Sequence, residues 1–286
     1  MKLQLLPHLL LIAAFVILWL PPLRRLWPVV LIASIGSALW LGVISVSSLA
    51  AIVLFAFLCW GWNKLQSSGH VMVRVVLWLL LLSASLALAL HLIPGFVPVP
   101  LMQNVALSAA SSPFSIIFNY DKALVGFLLL AMCATLLVQQ RDWTTMLRQL
   151  WPIWLATFVI VSGVMIIAGY LRLDPKWHGA FVWWALKNLF FTCMAEETFF
   201  RLLIQTPLQQ LLGSRRGMAG VAIGISALLF GLVHAASGWP MVIAASLAGI
   251  GYGWAFYRTG RIEAAILVHF GVNATHFLLL TYPMAS

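Results

Sequence analysis

The sequence predicts an all-α protein, a polytopic membrane helical bundle of about ten transmembrane helices, and three observations carry that expectation. Of its 286 residues, 63% are apolar and only 8% are charged, a balance unlike that of a water-soluble domain. The mean hydropathy is +1.05. Apolar stretches of membrane-spanning length follow one another along the whole chain, separated by short connections. Soluble enzymes, disordered regulators and secreted disulfide scaffolds are thereby excluded. The net charge of +10 reflects scarce acid, six Asp and Glu in all, and no Lys/Arg run exceeds two residues, so no nucleic-acid partner is expected.

The first apolar run, Leu9 to Leu20, resembles a signal peptide in length. Pro21, Pro22, Arg24 and Arg25 follow it in place of a small-x-small cleavage site, so it reads as an uncleaved span over 4–20. Further helices are expected over 27–44, 48–62, 75–93, 123–138, 150–171, 180–206, 218–236, 240–257 and 264–281. The boundary between the second and third rests on the run Ser45, Val46, Ser47 and Ser48. The stretch Pro94 to Asn119, with Pro94, Gly95, Pro98, Pro100 and several serines, reads as the one long connection, a surface loop. Cys59, Cys133 and Cys193 lie far apart in apolar surroundings and read as small core residues, with neither a redox pair nor a thiolate zinc cage among them.

Short loops rich in Lys and Arg stay on the cytoplasmic side. One set of connections holds Arg24, Arg25, Lys64, Arg74, Arg141, Arg148, Arg215, Arg216, Arg258 and Arg261, and the other only Lys2, Lys122, Arg172 and Lys176. Both termini are then expected to face away from the cytoplasm. Were the second and third spans one, the N-terminus would flip while the downstream half kept its orientation.

An ionisable group at mid-membrane costs about 2.5–3.5 kcal/mol on insertion scales, so polar residues inside these helices mark function or a specific pairing. Glu196 and Glu197 stand together in a helix of Leu, Phe, Trp and Ala. Adjacent carboxylates repel, and a compensating cation is expected. Arg201, four residues after Glu197, shares its helix face, whereas Glu196 points about 100° away. The expectation is Glu197 paired with Arg201 as structure and Glu196 left to act, although geometry alone does not choose the catalyst. Phe230 with His234, and His269 with Asn273, repeat the spacing of four on two later helices. A carboxylate, a histidine and a His/Asn pair form a set able to activate water and stabilise a tetrahedral oxyanion without a serine or cysteine nucleophile.

These residues resemble the CAAX-protease and bacteriocin-processing family of intramembrane glutamic proteases, the CPBP or Abi family. Glu196-Glu197-Thr198-Phe199-Phe200-Arg201 matches its EExxxR motif, Phe230 to His234 its FxxxH and His269 to Asn273 its HxxxN, in the family's order. The resemblance covers roughly Trp151 to Leu280. It implies a protease core over 150–281, with residues 1–140 forming N-terminal transmembrane helices of unassigned role. It further implies Glu196 as general base toward water, His234 helping to orient and deprotonate that water, His269 and Asn273 as oxyanion hole, and Glu197 with Arg201 bracing the site. The expected activity is endopeptidase cleavage of a membrane-associated peptide or protein tail by a multi-pass protein of the bacterial inner membrane, with the lipid bilayer as its other partner. Family relatives cleave prenylated tails, leader peptides or other membrane-associated segments, and nothing in this sequence picks among them.

Plainer readings stand beside these. His8, His70, His91 and His178 read as helix-to-helix hydrogen-bonding groups. His276 shares the face of His269 and Asn273 and is a candidate site-lining residue. Glu263 suits a helix N-terminus, and Asp174 before Pro175 reads as turn chemistry. No cofactor or metal is expected, yet Glu196, His234 and His269 also resemble a zinc shell with one open position; the absence of an HExxH pair argues against it. A transporter would also bury Glu and His, but it predicts two matching halves, and the polar residues here cluster in the second. A non-catalytic membrane partner or immunity protein would have lost a catalytic residue, and none is missing.

Overall fold

The computed structural model describes residues 3–65, 70–213 and 215–283. Lys2, counted above among the basic residues, lies outside them. Ten helices and one two-stranded sheet are found among the described residues. They are α1 (Leu6–Ile17), α2 (Trp27–Trp40), α3 (Val46–Leu65), α4 (Val71–Ala89), β1 (Val99–Val105), β2 (Phe114–Phe118), α5 (Tyr120–Cys133), α6 (Gln140–Ile167), α7 (181–212), α8 (Met218–Leu232), α9 (Trp239–Thr259) and α10 (Ile262–Leu279). Among the described residues α3, α4, α6, α9 and α10 are long and apolar enough to cross a membrane, and Leu3–Ile17 and Met218–Leu232 are shorter apolar helices. The protein is therefore a helical bundle of membrane type.

Several expected element bounds change, two of them for a clear physical reason. α6 begins at Gln140, ten residues before the expected start, so Pro152 lies inside the helix instead of in its first turn. The polar residues Gln140, Arg141 and Asp142 had marked a connection, but they form exposed first turns of an amphipathic helix. The stretch read as a surface loop contains the sheet of β1 and β2. Ile116 and Phe118 are buried while Ile117 between them is exposed, the period-two alternation of a strand, which the surrounding Pro, Gly and Ser had masked.

The chain divides into two compact units that each draw on three segments. The first comprises Met1–Leu101, Ile117–Val138 and Lys187–Phe199. Its core is aromatic: Phe15 meets Phe127 edge-on at 5.1 Å and Phe190 at 5.6 Å, and His8 lies among Phe118, Tyr120 and Phe191. Several buried polar groups here find partners within protein, as a bilayer favours, although His8 Nε2 has none among the described residues. His8 Nδ1 donates to Gln4 O at 3.0 Å, and Ser34 Oγ lies 2.7 Å from Pro7 O and 2.6 Å from the Tyr120 hydroxyl. Cys59 and Cys193 are buried and none of the three cysteines forms a disulfide, as the small-core reading expects.

The second unit comprises Met102–Ile116, Gln139–Leu186 and Phe200–Ser286. α9 packs against α6, α8 and α10. Small residues let these backbones come close, the usual basis of helix association in lipid. Outside the helices, Asp174 accepts hydrogen bonds from Ser108 Oγ at 2.6 Å and Lys176 Nζ at 3.0 Å. Lys176 Nζ also donates to Leu280 O, and Thr281 N donates to Arg172 O at 3.0 Å, so the 168–180 connection is tied to the end of α10. The Ser108 hydroxyl, followed by the Lys176 ammonium, holds the Asp174 carboxyl below its ordinary range against the opposing effect of burial.

Candidate active site

α7 carries the paired glutamates and is not one uniform helix. Phe181–Leu186, Met194–Glu197 and Thr206–Leu212 are α-helical, whereas Lys187–Cys193 and Thr198–Gln205 are π-helical. Wider π turns bring residues five apart near one another, and two side-chain hydrogen bonds have that spacing. Lys187 Nζ donates to Thr192 Oγ1 at 3.2 Å, and Cys193 Sγ to Asn188 Oδ1 at 3.2 Å. Thr198 Oγ1 donates back to Met194 O at 2.7 Å, competing with the α ladder where the second π stretch begins. Glu196 and Glu197 thus sit on a single α turn between two π stretches, a feature frequent at functional sites.

The two carboxylates have different surroundings within the first unit. Glu197 is 0% exposed. The Glu196 side chain is 13% exposed, and its Oε1 accepts a hydrogen bond from Lys122 Nζ at 2.7 Å. Glu196, expected to be left free to act beside the Glu197 and Arg201 pair, thus has a cation of its own. Lys122 lies 74 residues earlier, on α5, so no local spacing in the sequence announces it.

In the second unit the Arg201 side chain is fully buried. Its Nη1 donates to Gln205 Oε1 at 2.9 Å and to Ser226 Oγ at 3.3 Å. Those partners are held in turn: Gln205 Nε2 donates to Gly253 O at 3.0 Å and Ser226 Oγ to Phe200 O at 3.3 Å. Gly253 is needed here, because a Cβ would stand 2.8 Å from Arg201 Nη1 and 2.8 Å from Gln205 Oε1. Sequence reasoning missed Gln205, Ser226 and Gly253, although Gln205 repeats the spacing of four after Arg201.

The second and third motifs meet inside this unit. The Phe230 ring lies 5.1 Å from that of His234 and 5.7 Å from that of His269. Tyr252, another residue the sequence did not single out, stacks on His269 with 4.4 Å between centroids and 13° between planes. His269 is buried, and Asn273, one turn later on α10, is half-buried. His234 was expected inside a helix over 218–236, but α8 ends at Leu232 and His234 occupies the turn before a 3-10 segment at Ala235–Ser237. Its Nδ1 lies 2.8 Å from Phe230 O. A carbonyl oxygen only accepts, so Nδ1 carries the hydrogen and the neutral ring presents Nε2 as its acceptor.

The remaining residues take structural positions. His276 Nε2 donates to Thr281 O at 3.1 Å and its ring packs edge-on to Tyr282, so it ties down the end of α10. Glu263 stands in the first turn of α10, as expected. His91 Nδ1 pairs with Asp121 Oδ2 at 2.7 Å, and His178 Nδ1 accepts from Ala180 N at 3.0 Å. Among the described residues no group of three His, Cys, Asp or Glu side chains is gathered at metal-ligand spacing.

Helices of membrane type carry ionisable and hydrogen-bonding residues in an EExxxR, an FxxxH and an HxxxN motif, the pattern that resembles CAAX-type membrane proteases. Residues 177–275 match the family model described as type II CAAX prenyl endopeptidase Rce1-like. That segment contains all three motifs, so the match and the motifs point to the same family over this part of the chain. No curated protein and no solved structure matches the chain.

Proposed function

We propose that this protein is an intramembrane endopeptidase of the bacterial inner membrane that cleaves a membrane-associated peptide or protein tail by glutamate-activated attack of water. Glu196 is the general base. His234 orients the water and assists its deprotonation through Nε2, the acceptor left by the bond from Nδ1 to Phe230 O. The hydroxide adds to the scissile carbonyl carbon, the carbonyl electron pair moves to oxygen, and His269 with Asn273 donate hydrogen bonds to that oxyanion. Glu197 and Arg201 brace the site. Peptide groups within a helix are tied up in hydrogen bonds, so the segment to be cut must be unwound or extended first.

The observation that carries this reading is the difference between the two glutamates. A general base must share a water with the substrate carbonyl, and Glu197, at 0% exposure, presents no surface for one. Glu196, whose side chain keeps 13% exposure, has surface left for that contact, which favours it as the base. The family match over 177–275 supplies the reaction class. A deletion strain complemented with wild type or with Glu196→Ala tests the reading by proteomics of membrane-protein tails. Uncut tails are expected in the deletion and the Glu196→Ala strain alike; identical tails in all three strains would refute it. Chelation of the purified enzyme decides the metal question. The metal-free mechanism predicts full activity after exhaustive chelation, and stoichiometric zinc with chelator-sensitive cleavage would replace it.

A further inference from the structure

We propose that Lys122, in the N-terminal region for which the family resemblance gives no role, is a positioning residue for Glu196, fixing the carboxylate from which the general base works. The proposal rests on the reading of Glu196 as that base. Three observations within the first unit support it. Lys122 Nζ donates to Glu196 Oε1 at 2.7 Å, a charge-assisted contact that fixes one carboxylate oxygen. The helices that carry the two residues approach unusually closely: a Cβ at Gly126 would stand 2.7 Å from Ala195 Cα and 2.8 Å from its N. Gly126 is one turn after Lys122 on the same face of α5, and Ala195 immediately precedes Glu196, so the missing side chain sets the distance over which the ammonium must reach.

The third observation is that the backbone at Lys122 is itself held. Asn119 Nδ2 donates to His91 Nε2 at 3.1 Å, which makes Nε2 the acceptor and gives the hydrogen to Nδ1. Nδ1 then donates to Asp121 Oδ2 at 2.7 Å, and Asp121 Oδ1 accepts Lys122 N–H at 2.9 Å. The start of α5 is thus fastened by a polar chain ending at the residue that meets Glu196. A lysine serving only to neutralise a charge needs no such anchoring. A base that must face both a water and a carbonyl needs its carboxylate plane fixed, because a misplacement of about 1 Å costs roughly a hundredfold in rate.

The test compares wild type, Lys122→Gln, Lys122→Arg, Glu196→Gln and the Lys122→Gln/Glu196→Gln double variant of the full chain, using a membrane-peptide reporter and thermal unfolding in one detergent. Lys122→Gln is expected to lower kcat by about tenfold to a hundredfold with KM changed by less than about threefold, and Lys122→Arg to recover most of the loss. The double variant should cleave no more slowly than Glu196→Gln alone. Wild-type kcat in Lys122→Gln overturns the proposal, and a raised kcat would make Lys122 a restraint on Glu196 instead. Equal losses in the Gln and Arg variants, each with a lowered melting temperature, would reduce Lys122 to a folding role. Retained cleavage in Glu196→Gln, by contrast, would refute the general-base reading itself, and a wild type that cuts nothing would remove both.

Discussion

Arg201→Met removes a fully buried guanidinium while keeping most of its aliphatic volume. The lost interactions include the hydrogen bonds from Nη1 to Gln205 Oε1 at 2.9 Å and to Ser226 Oγ at 3.3 Å. A hydrogen bond from a charged group contributes about 1.5–3 kcal/mol. The second bond is long, which holds the pair near the lower end, about 3 kcal/mol in all. The loss does not stop at Arg201, because Gln205 also holds Gly253 O and Ser226 holds Phe200 O. At about 2–4 °C per kcal/mol for a domain of this size, the melting temperature should fall by on the order of 10 °C. Arg201→Lys restores the charge but not the planar fork, so it should fall between wild type and Arg201→Met. Thermal unfolding of the three proteins in one detergent is the assay. A melting temperature for Arg201→Met within about 2 °C of wild type would refute the reasoning and leave Arg201 no bracing role.

His269→Ala and Asn273→Ala should each lower kcat by about a hundredfold to a thousandfold, the usual cost of an oxyanion donor; near-normal single-turnover rates in both would place the oxyanion hole elsewhere. Acid should weaken the tie between the 168–180 connection and the end of α10. The native Asp174 carboxyl is held below its unfolded value, so its contribution is complete above the ordinary carboxylate range and is lost as pH falls through the lowered native value. Unfolding measured from pH 7 down to pH 3 should therefore show a steeper acid decline in wild type than in Asp174→Asn, and superimposable curves would contradict this.

The bundle was legible in the sequence because lipid imposes one constraint: each span must be apolar and satisfy its own backbone, so hydropathy alone reveals it. The start of α6 was not, because Gln140, Arg141 and Asp142 are as polar as a loop while serving as exposed helix turns. The π stretches around Glu196 and Glu197 were also hidden, since the local sequence still reads as helix. Among the candidate site residues, the contact of His234 with Phe230 follows from a motif whose spacing of four is visible in the sequence, whereas His269 reaches Phe230 from another helix. The partners of Glu196 and Arg201 are a different matter. Lys122 and Ser226 meet them only through tertiary packing, at separations of 74 and 25 residues, and no periodicity encodes such pairs. Lys122 also changes one energetic expectation. Glu196→Ala removes repulsion from Glu197 but also strands an ammonium that is 25% exposed, so a small net loss of stability is expected.

The most direct test of the central claim is single-turnover cleavage of a membrane-peptide reporter by purified wild type and Glu196→Gln, with insertion, yield and melting temperature measured on the same preparations. The substitution preserves the size and hydrogen bonding of the side chain but removes the base. The account predicts a folded, inserted Glu196→Gln protein with no detectable cleavage under conditions where wild type turns over. Substantial proteolysis by that variant would contradict it.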